Sequence, residues 1–433
     1  MYRSNILVVV VDGLRASALG AYGNTAFPTP ALDRFAADSL LLDRCYSPSA
    51  DLERIYHALW LSEHPGRVAK MPAAALPSSG RSLPAVFGDD GYRATLITDE
   101  SRLLTFQAAD KFQNQILIEG NSTQPANERP VSTILEMELA RVLAAAAETI
   151  AELHSSPNTC VNDGPPNLVW VHARGMYGHW DAPTELQRSL LDDDDLAPIE
   201  SAAPPNVKLA ADDDPDDVFR YTCAYAAQVI AFDELSQALW EAVATDVNAE
   251  PWVVMLIGAR GFALGEHGRI GGIDPRLYVE QLHVPWLIRF PDSRARLTRS
   301  SELTTHADVL PTLLTSTRGS SNDEKQGDGL SAVLLASNAK VSWRDSLLAT
   351  SDDGTRALRT AAWTLLEPAE PLDTSANEFD RDPATELYVC PDDRWEANDI
   401  ASLCGEAVDE LRRTSAAAAG KLLEAEPLPN DGS

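Results

Sequence analysis

The stretch NILVVVVDGLRASALGAYG, residues 5–23, decides the fold of this chain. Its apolar run, residues 6–10, continues through Val11 to Asp12 and Gly13, which predicts a buried parallel strand that ends in a carboxylate. Open α/β sheets place their ligands at the carboxyl ends of such strands. A single Asp there is typical either of a turn or helix N-cap or of a cation ligand, and both interpretations of Asp12 stay open.

The same stretch resembles the opening strand and turn of the sulfatase family, which belongs to the alkaline-phosphatase-like superfamily. Members of that family carry two adjacent acids at this turn, both ligands of a divalent cation, followed by Leu-Arg and then by Gly-x-Tyr-Gly. Here Asp12 stands at the first acid and Gly13 replaces the second, whereas Leu14, Arg15 and residues 20–23 match. The resemblance therefore implies that Asp12 is a remnant metal ligand.

Further segments resemble sulfatase segments in the same order along the chain. They are residues 28–36, 83–96, 225–233, 261–268, 306–313, 356–366 and 386–398. The resemblance implies an α/β fold, an alkaline-phosphatase-like three-layer sandwich with a mainly parallel central sheet and a small C-terminal α+β subdomain with an antiparallel sheet. We expect a sulfatase-like domain over residues 1–335, with an acidic insertion at about 190–218, and the small subdomain over 340–433.

The nucleophile of sulfatases is a Cys or Ser, oxidised to formylglycine, within Cys/Ser-x-Pro-x-Arg. An ungapped alignment on residues 46–49 and Pro65 places Leu52 at the nucleophile and Tyr56 at the arginine. Leucine has no nucleophilic chemistry, so no intact catalytic residue is expected. Serines beside a proline are typical of turns, but three nearby residues stay open as unconventional nucleophiles. They are Cys45, Ser47 and Ser49.

The second half of the metal site normally comes from a strand that ends in Ser-Asp-His-Gly or Asp-Asn-Gly. Ala259 stands at the acid and Arg260 at the following ligand. Ca²⁺ and Mg²⁺ require several oxygen ligands, and a guanidinium at ~4 Å would repel such a cation by ~4 kcal/mol per pair of unit charges at an effective dielectric near 20. We therefore expect no cofactor, and we expect Arg260 to occupy the cation position and pair with Asp12.

The sulfate-binding positions of the family are also changed. Residues 98–101, Thr-Asp-Glu-Ser, replace the expected Gly-Lys-x-His, and residues 274–276 replace an expected lysine. Counting back from residues 182–183 places Tyr177 at a family histidine and His179 at a proline, and a slip of one residue would exchange these assignments. An acid in place of a cation predicts weaker binding of a sulfate group.

Several polar residues nevertheless stay near the predicted strand ends. Arginine forks bind sulfate, phosphate and carboxylate, so these residues are candidates for a retained anion-binding cleft. The alternative is that each serves a local salt bridge or shapes a loop, and both interpretations stay open. The candidates are Arg15, Arg174, His179, Arg260, Glu266 and His267.

The amino-acid composition and net charge limit the classes of binding partner and the cellular compartment that we expect. The 433 residues carry a formal net charge of −30, which argues against nucleic acid and anionic membrane partners. The acids cluster in residues 192–195 and 212–217, which favours a solvated insertion. No apolar leader precedes the first strand and the five cysteines lack CxxC spacing, so we expect a cytoplasmic protein without a signal peptide or membrane span.

Two functions from different classes stay open. The scaffold segments match while the reactive positions do not, which favours a sulfatase-like protein that is catalytically inactive and retains the cleft for a small anionic ligand or a protein partner. The alternative is a divergent metal-dependent hydrolase of sulfuric or phosphoric esters, which would use Asp12 and a Ca or Mg ion.

Overall fold

The computed structural model describes residues 4–67, 82–120, 130–155, 164–192, 196–210, 212–243, 251–336, 341–369 and 385–424. Its strands, in chain order, are β1 Asn5–Val11, β2 Leu40–Tyr46, β3 Arg93–Thr98, β4 Asn114–Leu117, β5 Asn167–Ala173, β6 Asn206–Lys208, β7 Trp252–Gly258, β8 Arg269–Gly271, β9 His283–Val284, β10 Trp286–Arg289, β11 Thr298–Thr305, β12 Lys325–Gln326, β13 Gly329–Leu330, β14 Ser346–Thr350, β15 Arg356–Thr360, β16 Trp363–Glu367 and β17 Glu386–Val389. Its helices are α1 Pro30–Ala37, α2 Leu52–Leu61, α3 Leu83–Asp89, α4 Glu138–Ser155, α5 Thr184–Arg188, α6 Pro215–Ala242, α7 Val279–Leu282, α8 Val309–Arg318 and α9 Gly405–Glu424.

The central sheet has the strand order β11-β2-β10-β7-β1-β5-β3-β4, and β9 pairs with β2 outside this path. Strand β1 runs parallel to both of its neighbours, β5 and β7, and β3 runs parallel to β5 and β4. The antiparallel pairs involve β9 and β10. The sheet is therefore mixed and mainly parallel, as the sequence predicted.

Helices cover both faces of this sheet because the side chains of β1 alternate between two buried clusters. Ile6, Val8 and Val10 pack with residues of α2, α3 and α8 on one face. Leu7 and Val9 pack with residues of α1, α4 and α6 on the other. Side chains of successive strand residues point to opposite faces, so a run that is apolar throughout requires a layer on each side. The predicted three-layer architecture is confirmed.

A second, antiparallel sheet follows the main one in the sequence, with the order β14-β15-β16-β17. Its strands also alternate. Leu348, Leu358 and Leu365 pack beside α9, whereas Ala357 and Leu366 pack against residues at α7. The predicted C-terminal antiparallel sheet with a final helix is thus present, while the predicted domain limits at residues 335 and 340 stay a prediction.

A capping box between Thr133 and Glu136 precedes α4. The box closes a short 3-10 turn, and the α-helix itself begins at Glu138. The second acidic run contributes the N-terminus of α6, where Asp214 accepts a hydrogen bond from the backbone of Asp216. Carboxylates at a helix N-terminus are stabilised by the helix dipole. In the first acidic run, residues 193–195 lie outside the described residues.

None of the helices within the described ranges combines the length and the apolar character needed to cross a membrane.

Candidate functional site

The ends of β1 and β7 bring the first candidate residues together. The two strands are parallel neighbours with Val11 opposite Gly258, and the amide of Ala259 donates to the carbonyl of Val11 at 3.0 Å. Each strand turns away from the sheet after this point. Asp12 and Arg260 therefore leave the sheet side by side, at the edge where parallel α/β sheets carry their sites.

Asp12 and Arg260 form a two-pronged ion pair. Nε of Arg260 lies 2.9 Å from Oδ1 of Asp12, and Nη2 lies 3.0 Å from Oδ2. The remaining nitrogen, Nη1, donates to the carbonyl of Ala50 at 2.6 Å. Both side chains are buried, with exposed fractions of 3% for Asp12 and 4% for Arg260. The pairing that the sequence predicted is present, and it also fixes the turn that precedes α2.

Tyr177 covers this ion pair from one side. Its ring centroid lies 4.0 Å from Cζ of Arg260, a cation–π contact, and its hydroxyl donates to the carbonyl of Gly272 at 3.0 Å. Burial alone would lower the pKa of Arg260, but the charge of Asp12 outweighs it, so the pKa of Arg260 is raised. Arg260 is therefore a permanent cation at the strand ends.

The residues present do not fit a divalent cation. Both carboxylate oxygens of Asp12 accept hydrogen bonds from Arg260, and the neighbouring Gly13 and Ala259 offer no side-chain oxygen. Among the described residues no group of three or more His, Cys, Asp and Glu side chains is placed to hold a metal ion. A hard cation at Asp12 would have to displace a buried, fully paired guanidinium.

The position that the sequence comparison assigned to the family nucleophile lies at the beginning of α2 and is apolar. Leu52 is the first residue of the helix, 1% exposed, and packs in the core. The carboxylate of Asp51 caps the helix by accepting from the amide nitrogens of Glu53 and Arg54 at 2.9 and 3.3 Å. The helix N-terminus, where an anion would be favoured, is thus closed by the chain's own acid.

Tyr56, at the position of the family arginine, lies one helical turn after Leu52 and is fully buried. Its hydroxyl accepts from Nε1 of Trp170 at 3.4 Å and is hydrogen-bonded to Nδ1 of His172 at 2.8 Å. Burial lowers the pKa of His172 to about 4, so the imidazole is neutral at physiological pH. This group of aromatic residues replaces a positive charge beside the nucleophile position.

The three alternative nucleophiles are structural residues. Ser47 Oγ donates to the carbonyl of Ser49 at 2.7 Å, and Ser49 Oγ accepts from the amide of Asp51 at 3.3 Å. Both serines are buried and shape the turn. Burial raises the pKa of the Cys45 thiol, so this cysteine is protonated.

Arg174 lies at the rim of the cleft with two acids of the neighbouring strand end. Its amide donates to Asp99 at 2.8 Å, and its Nε lies 3.9 Å from Glu100. Glu100 also accepts from Nε and Nη2 of Arg102, both at 3.1 Å. Burial raises the pKa of Asp99 to about 6. Burial also acts to raise the pKa of Glu100, but the hydrogen bonds from Arg102 and the charges of both arginines outweigh it and lower that pKa.

His179 pairs with a different element from the other candidates. Its Nδ1 lies 3.1 Å from Oε1 of Glu138, the first residue of α4. The hydrogen bond with Glu138 raises the pKa of His179. This histidine fixes the loop after β5 to α4, and within the described residues it makes no hydrogen bond or ion pair with Asp12 or Arg260.

Arg15, Glu266 and His267 form a layer that faces the C-terminal sheet. Arg15 Nη2 lies 2.5 Å from Oε1 of Glu266. His267 donates from Nδ1 to Glu280 at 2.7 Å and from Nε2 to the carbonyl of Glu396 at 2.9 Å. Its ring stacks on Tyr278 with centroids 3.6 Å apart. The six cleft candidates therefore divide among the ion pair, the rim, α4 and this layer, rather than forming a single cluster.

Sequence reasoning did not find three of the residues that complete these groups, namely Arg102, Glu280 and Glu396. Arg102 lies two positions after Glu100, and this short spacing was the available signal. Glu280 and Glu396 lie 13 and 129 positions from His267 in the sequence, and no local pattern connected them with it.

A family model described as Sulfatase matches residues 4–320. Similar solved structures include a phosphonate monoester hydrolase of Agrobacterium radiobacter, with 15% identity, a TM-score of 0.75 and coverage of 97% of this chain and 96% of that chain. Two putative sulfatases are also similar. The one from Bacteroides fragilis has 17% identity, a TM-score of 0.70 and coverage of 97% and 96%. The one from Bacteroides thetaiotaomicron has 16% identity, a TM-score of 0.70 and coverage of 97% and 93%.

No curated protein matches the chain in sequence. At these identities the solved structures establish the fold, which is alkaline-phosphatase-like, and do not establish the reaction. The family match covers most of the chain. This chain belongs to the sulfatase family.

Proposed function

We propose that this chain is a catalytically inactive member of the sulfatase family, which uses the retained cleft to bind an anionic small molecule or an acidic protein segment. The observation that carries this proposal is the buried ion pair of Asp12 and Arg260. The guanidinium of Arg260 occupies both carboxylate oxygens of Asp12, the remnant ligand. Asp12 therefore cannot hold a metal ion that would polarise a substrate, and the positive charge of Arg260 is itself neutralised by Asp12.

The nucleophile region supports the same conclusion. Ester hydrolysis in this family needs a nucleophile at the beginning of α2 and a cation beside it. Leu52 and Tyr56 supply neither, and the helix N-terminus is capped by Asp51. A water molecule could act instead of a side chain only if a base and an electrophilic cation were arranged around it. The buried imidazole of His172 is held by the Tyr56 hydroxyl through Nδ1.

The rim of the cleft, where Arg102 and Arg174 lie, still offers hydrogen-bond donors for an anion. Arg102 and Arg174 share the single carboxylate of Glu100, and their side chains are 54% and 36% exposed. The second acid of the rim, Asp99, accepts from the backbone amide of Arg174, so N–H groups of the two guanidinium groups are left for a further anion. Because both are partly exposed, we expect weak, salt-sensitive binding.

The test of inactivity measures turnover of an aryl sulfate, an aryl phosphate and an aryl phosphonate monoester, each with and without added Ca²⁺, Mg²⁺ or Mn²⁺. Wild type and Asp12→Asn are compared, and the metal content of both is measured by mass spectrometry. We expect rates equal to the protein-free rate and less than stoichiometric metal. Metal-dependent turnover that disappears in Asp12→Asn would overturn the proposal in favour of a divergent ester hydrolase.

The test of the rim titrates sulfate against the full chain at low ionic strength by calorimetry. We expect Arg174→Gln to weaken binding by roughly tenfold, since it removes a charge-assisted donor. Arg188→Gln is the matched control, because Arg188 is 61% exposed and pairs only with the exposed Glu185 among the described residues. Equal effects of the two substitutions would show that sulfate responds to net charge and not to the rim.

We also propose a reducing compartment, the cytoplasm, for this protein. Three cysteines within the described residues form no disulfide, and one of them, Cys45, is buried. They are Cys45, Cys390 and Cys404. Cys160 lies outside the described residues. Free buried thiols are typical of proteins that are kept reduced.

A further inference from the structure

A cavity of about 170 Å³ lies away from the Asp12–Arg260 pair, between the main sheet and the segment that follows β17. Residues after β1, residues at the end of β2 and residues 390–396 form its walls. Neither Asp12 nor Arg260 lines it. Arg15 separates the two places, because its backbone follows the turn after β1 while its side chain reaches Glu266 and the cavity wall.

One wall of this cavity is aromatic. The rings of Tyr46 and His283 lie 5.1 Å apart, and Tyr22 contacts His283 edge-on at 6.3 Å. His283 Nε2 donates to the carbonyl of Asp43 at 2.7 Å, and burial lowers the pKa of His283 to about 4, so the ring is neutral. Three flat rings that carry no charge favour a ligand with a flat, apolar body.

The opposite side carries four arginines and three carboxylates. Arg15 and Arg359, the two buried arginines of the lining, are neutralised by ion pairs with Glu266 and Glu396. Of the other two lining carboxylates, Glu280 pairs with His267, and Asp393 accepts from the amides of Ala397 and Asn398. Arg44 and Arg394 lie within ion-pair distance of no carboxylate among the described residues, and the Arg44 guanidinium donates to the carbonyl of Ser301. These two arginines therefore remain available to pair with an anionic ligand.

The guanidinium of Arg394 can donate hydrogen bonds to a ligand in the cavity. Its guanidinium stacks on the ring of Trp395, with Cζ 4.6 Å from the centroid. Stacking uses the face of the planar group and leaves the N–H groups at its edge free for a carboxylate. The hydroxyl of Tyr46 adds a neutral donor, because burial raises its pKa to about 12 and no hydrogen-bond partner contacts it among the described residues.

The size of the cavity limits the ligand. An apolar cavity of roughly 150 Å³ admits a molecule as large as benzene. The present cavity is slightly larger, and Arg44 and Arg394 lie on one side of it. We propose that it is a binding site for a small organic anion with one flat ring and one carboxylate, which stacks against Tyr46 and His283 and pairs with Arg44 and Arg394. This site is separate from the cleft of the proposed function and does not depend on it.

Benzoate is the probe, with benzamide as its neutral isostere and inorganic sulfate as an anion without a ring. Each is titrated into the full-length chain at low ionic strength, and binding is followed by ligand-observed NMR and calorimetry. We expect saturable binding of one benzoate per chain, at least tenfold tighter than benzamide or sulfate. Arg394→Gln should weaken benzoate binding at least tenfold, and Tyr46→Phe should weaken it severalfold.

Two further variants locate the site. Arg413→Gln removes the same charge from the exposed face of α9, where Nε of Arg413 donates only to the carbonyl of Asp409 among the described contacts, and it should change benzoate affinity less than twofold. Arg174→Gln should also leave it unchanged. A loss of benzoate binding in Arg174→Gln would place the ligand at the rim and overturn the cavity. The proposal is equally overturned if benzamide or sulfate binds as well as benzoate, if Arg394→Gln has no effect, or if benzoate does not bind.

Discussion

A Cβ atom placed on Gly13 would lie 2.7 Å from the Cβ atom of Met176. Gly13 also has a φ of +78°, in the left-handed region that favours glycine. This is the position of the second metal-binding acid in the family. The backbone conformation of the turn and the packing of the loop after β5 therefore both disfavour any side chain at position 13. An acid could not be restored at Gly13 without a shift of this loop.

Gly13→Ala should consequently destabilise the protein more than an alanine at another glycine with positive φ. Gly23 is the matched control, because its φ is +96° and no atom lies within 4 Å of its ideal Cβ position. We expect about 1 kcal/mol of destabilisation for Gly23→Ala from backbone strain. Gly13→Ala should cost a further ~1–3 kcal/mol from the steric overlap with Met176. Urea unfolding of both variants measures the difference, and equal costs would show that the loop yields easily.

The ion pair of Asp12 and Arg260 predicts strong coupling between the two residues. Removing one partner leaves a buried charge without its counterion, so Asp12→Asn and Arg260→Met should each cost about 3–5 kcal/mol of unfolding free energy. The double variant should cost much less than the sum, because neither charge is left behind.

The exposed pair of Arg296 and Asp38, with exposed fractions of 62% and 47%, is the control for that cycle. Its coupling should be below about 1 kcal/mol, since water screens it. Additive costs for Asp12→Asn and Arg260→Met would contradict the view that the guanidinium serves as the counterion of the remnant ligand.

Leu52 should behave as a core residue and not as a position that only lacks its nucleophile. Leu52→Ala should destabilise by about 2–5 kcal/mol, because the side chain is 1% exposed and packs in the main cluster. Leu135→Ala, at a side chain that is 75% exposed, should change stability by less than about 0.5 kcal/mol. Leu52→Cys should give no turnover of aryl sulfate, since Tyr56 and Arg260 supply neither the arginine nor the metal of the family site. Turnover in Leu52→Cys would show that only the nucleophile is missing.

The contacts that sequence reasoning predicted are those that follow from the sheet. Val11 and Gly258 are opposite each other in parallel strands, so the next residues of both strands, Asp12 and Arg260, had to meet. The assignment of Leu52 and Ala259 to family site positions was likewise made by counting from segments that resemble the family. The order of the strands and the meeting of their ends follow from the hydrophobic pattern of the sequence. That pattern is kept when reactive residues at the strand ends are substituted.

The directions of side chains that leave loops could not be predicted in the same way. Arg15 was expected in the cleft, but its side chain pairs with Glu266 in the layer that faces the C-terminal sheet. His179 pairs with Glu138, which is 41 positions earlier in the sequence (179 minus 138). Such partners depend on packing between elements, which no local pattern encodes.

His267 makes the stability of the protein depend on pH in the alkaline range. Burial acts to lower its pKa, but the hydrogen bond to Glu280 and the carbonyl of Glu396 outweigh it and raise the pKa from 6.5 to about 9. The folded protein therefore holds a proton that the unfolded chain has lost above pH 6.5. The stabilisation is fully present below pH 6.5 and is lost as the pH rises through about 9.

We expect the unfolding free energy of wild type to fall by on the order of 2–3 kcal/mol between pH 6.5 and 9.5, relative to His267→Gln, which cannot titrate there. Urea unfolding at several pH values measures this difference, and NMR titration of the His267 Cε1 proton measures the pKa directly. Tyr278 stacks on the ring of His267, and the carboxylates of Glu280 and Glu396 both favour the charged imidazole. The neighbouring cations are each paired with an acid: Arg15 with Glu266, Arg276 with Asp274 and Arg359 with Glu396. Parallel stability curves for wild type and His267→Gln would show that His267 is neutral in the fold and that its contacts with the C-terminal segment do not need the proton.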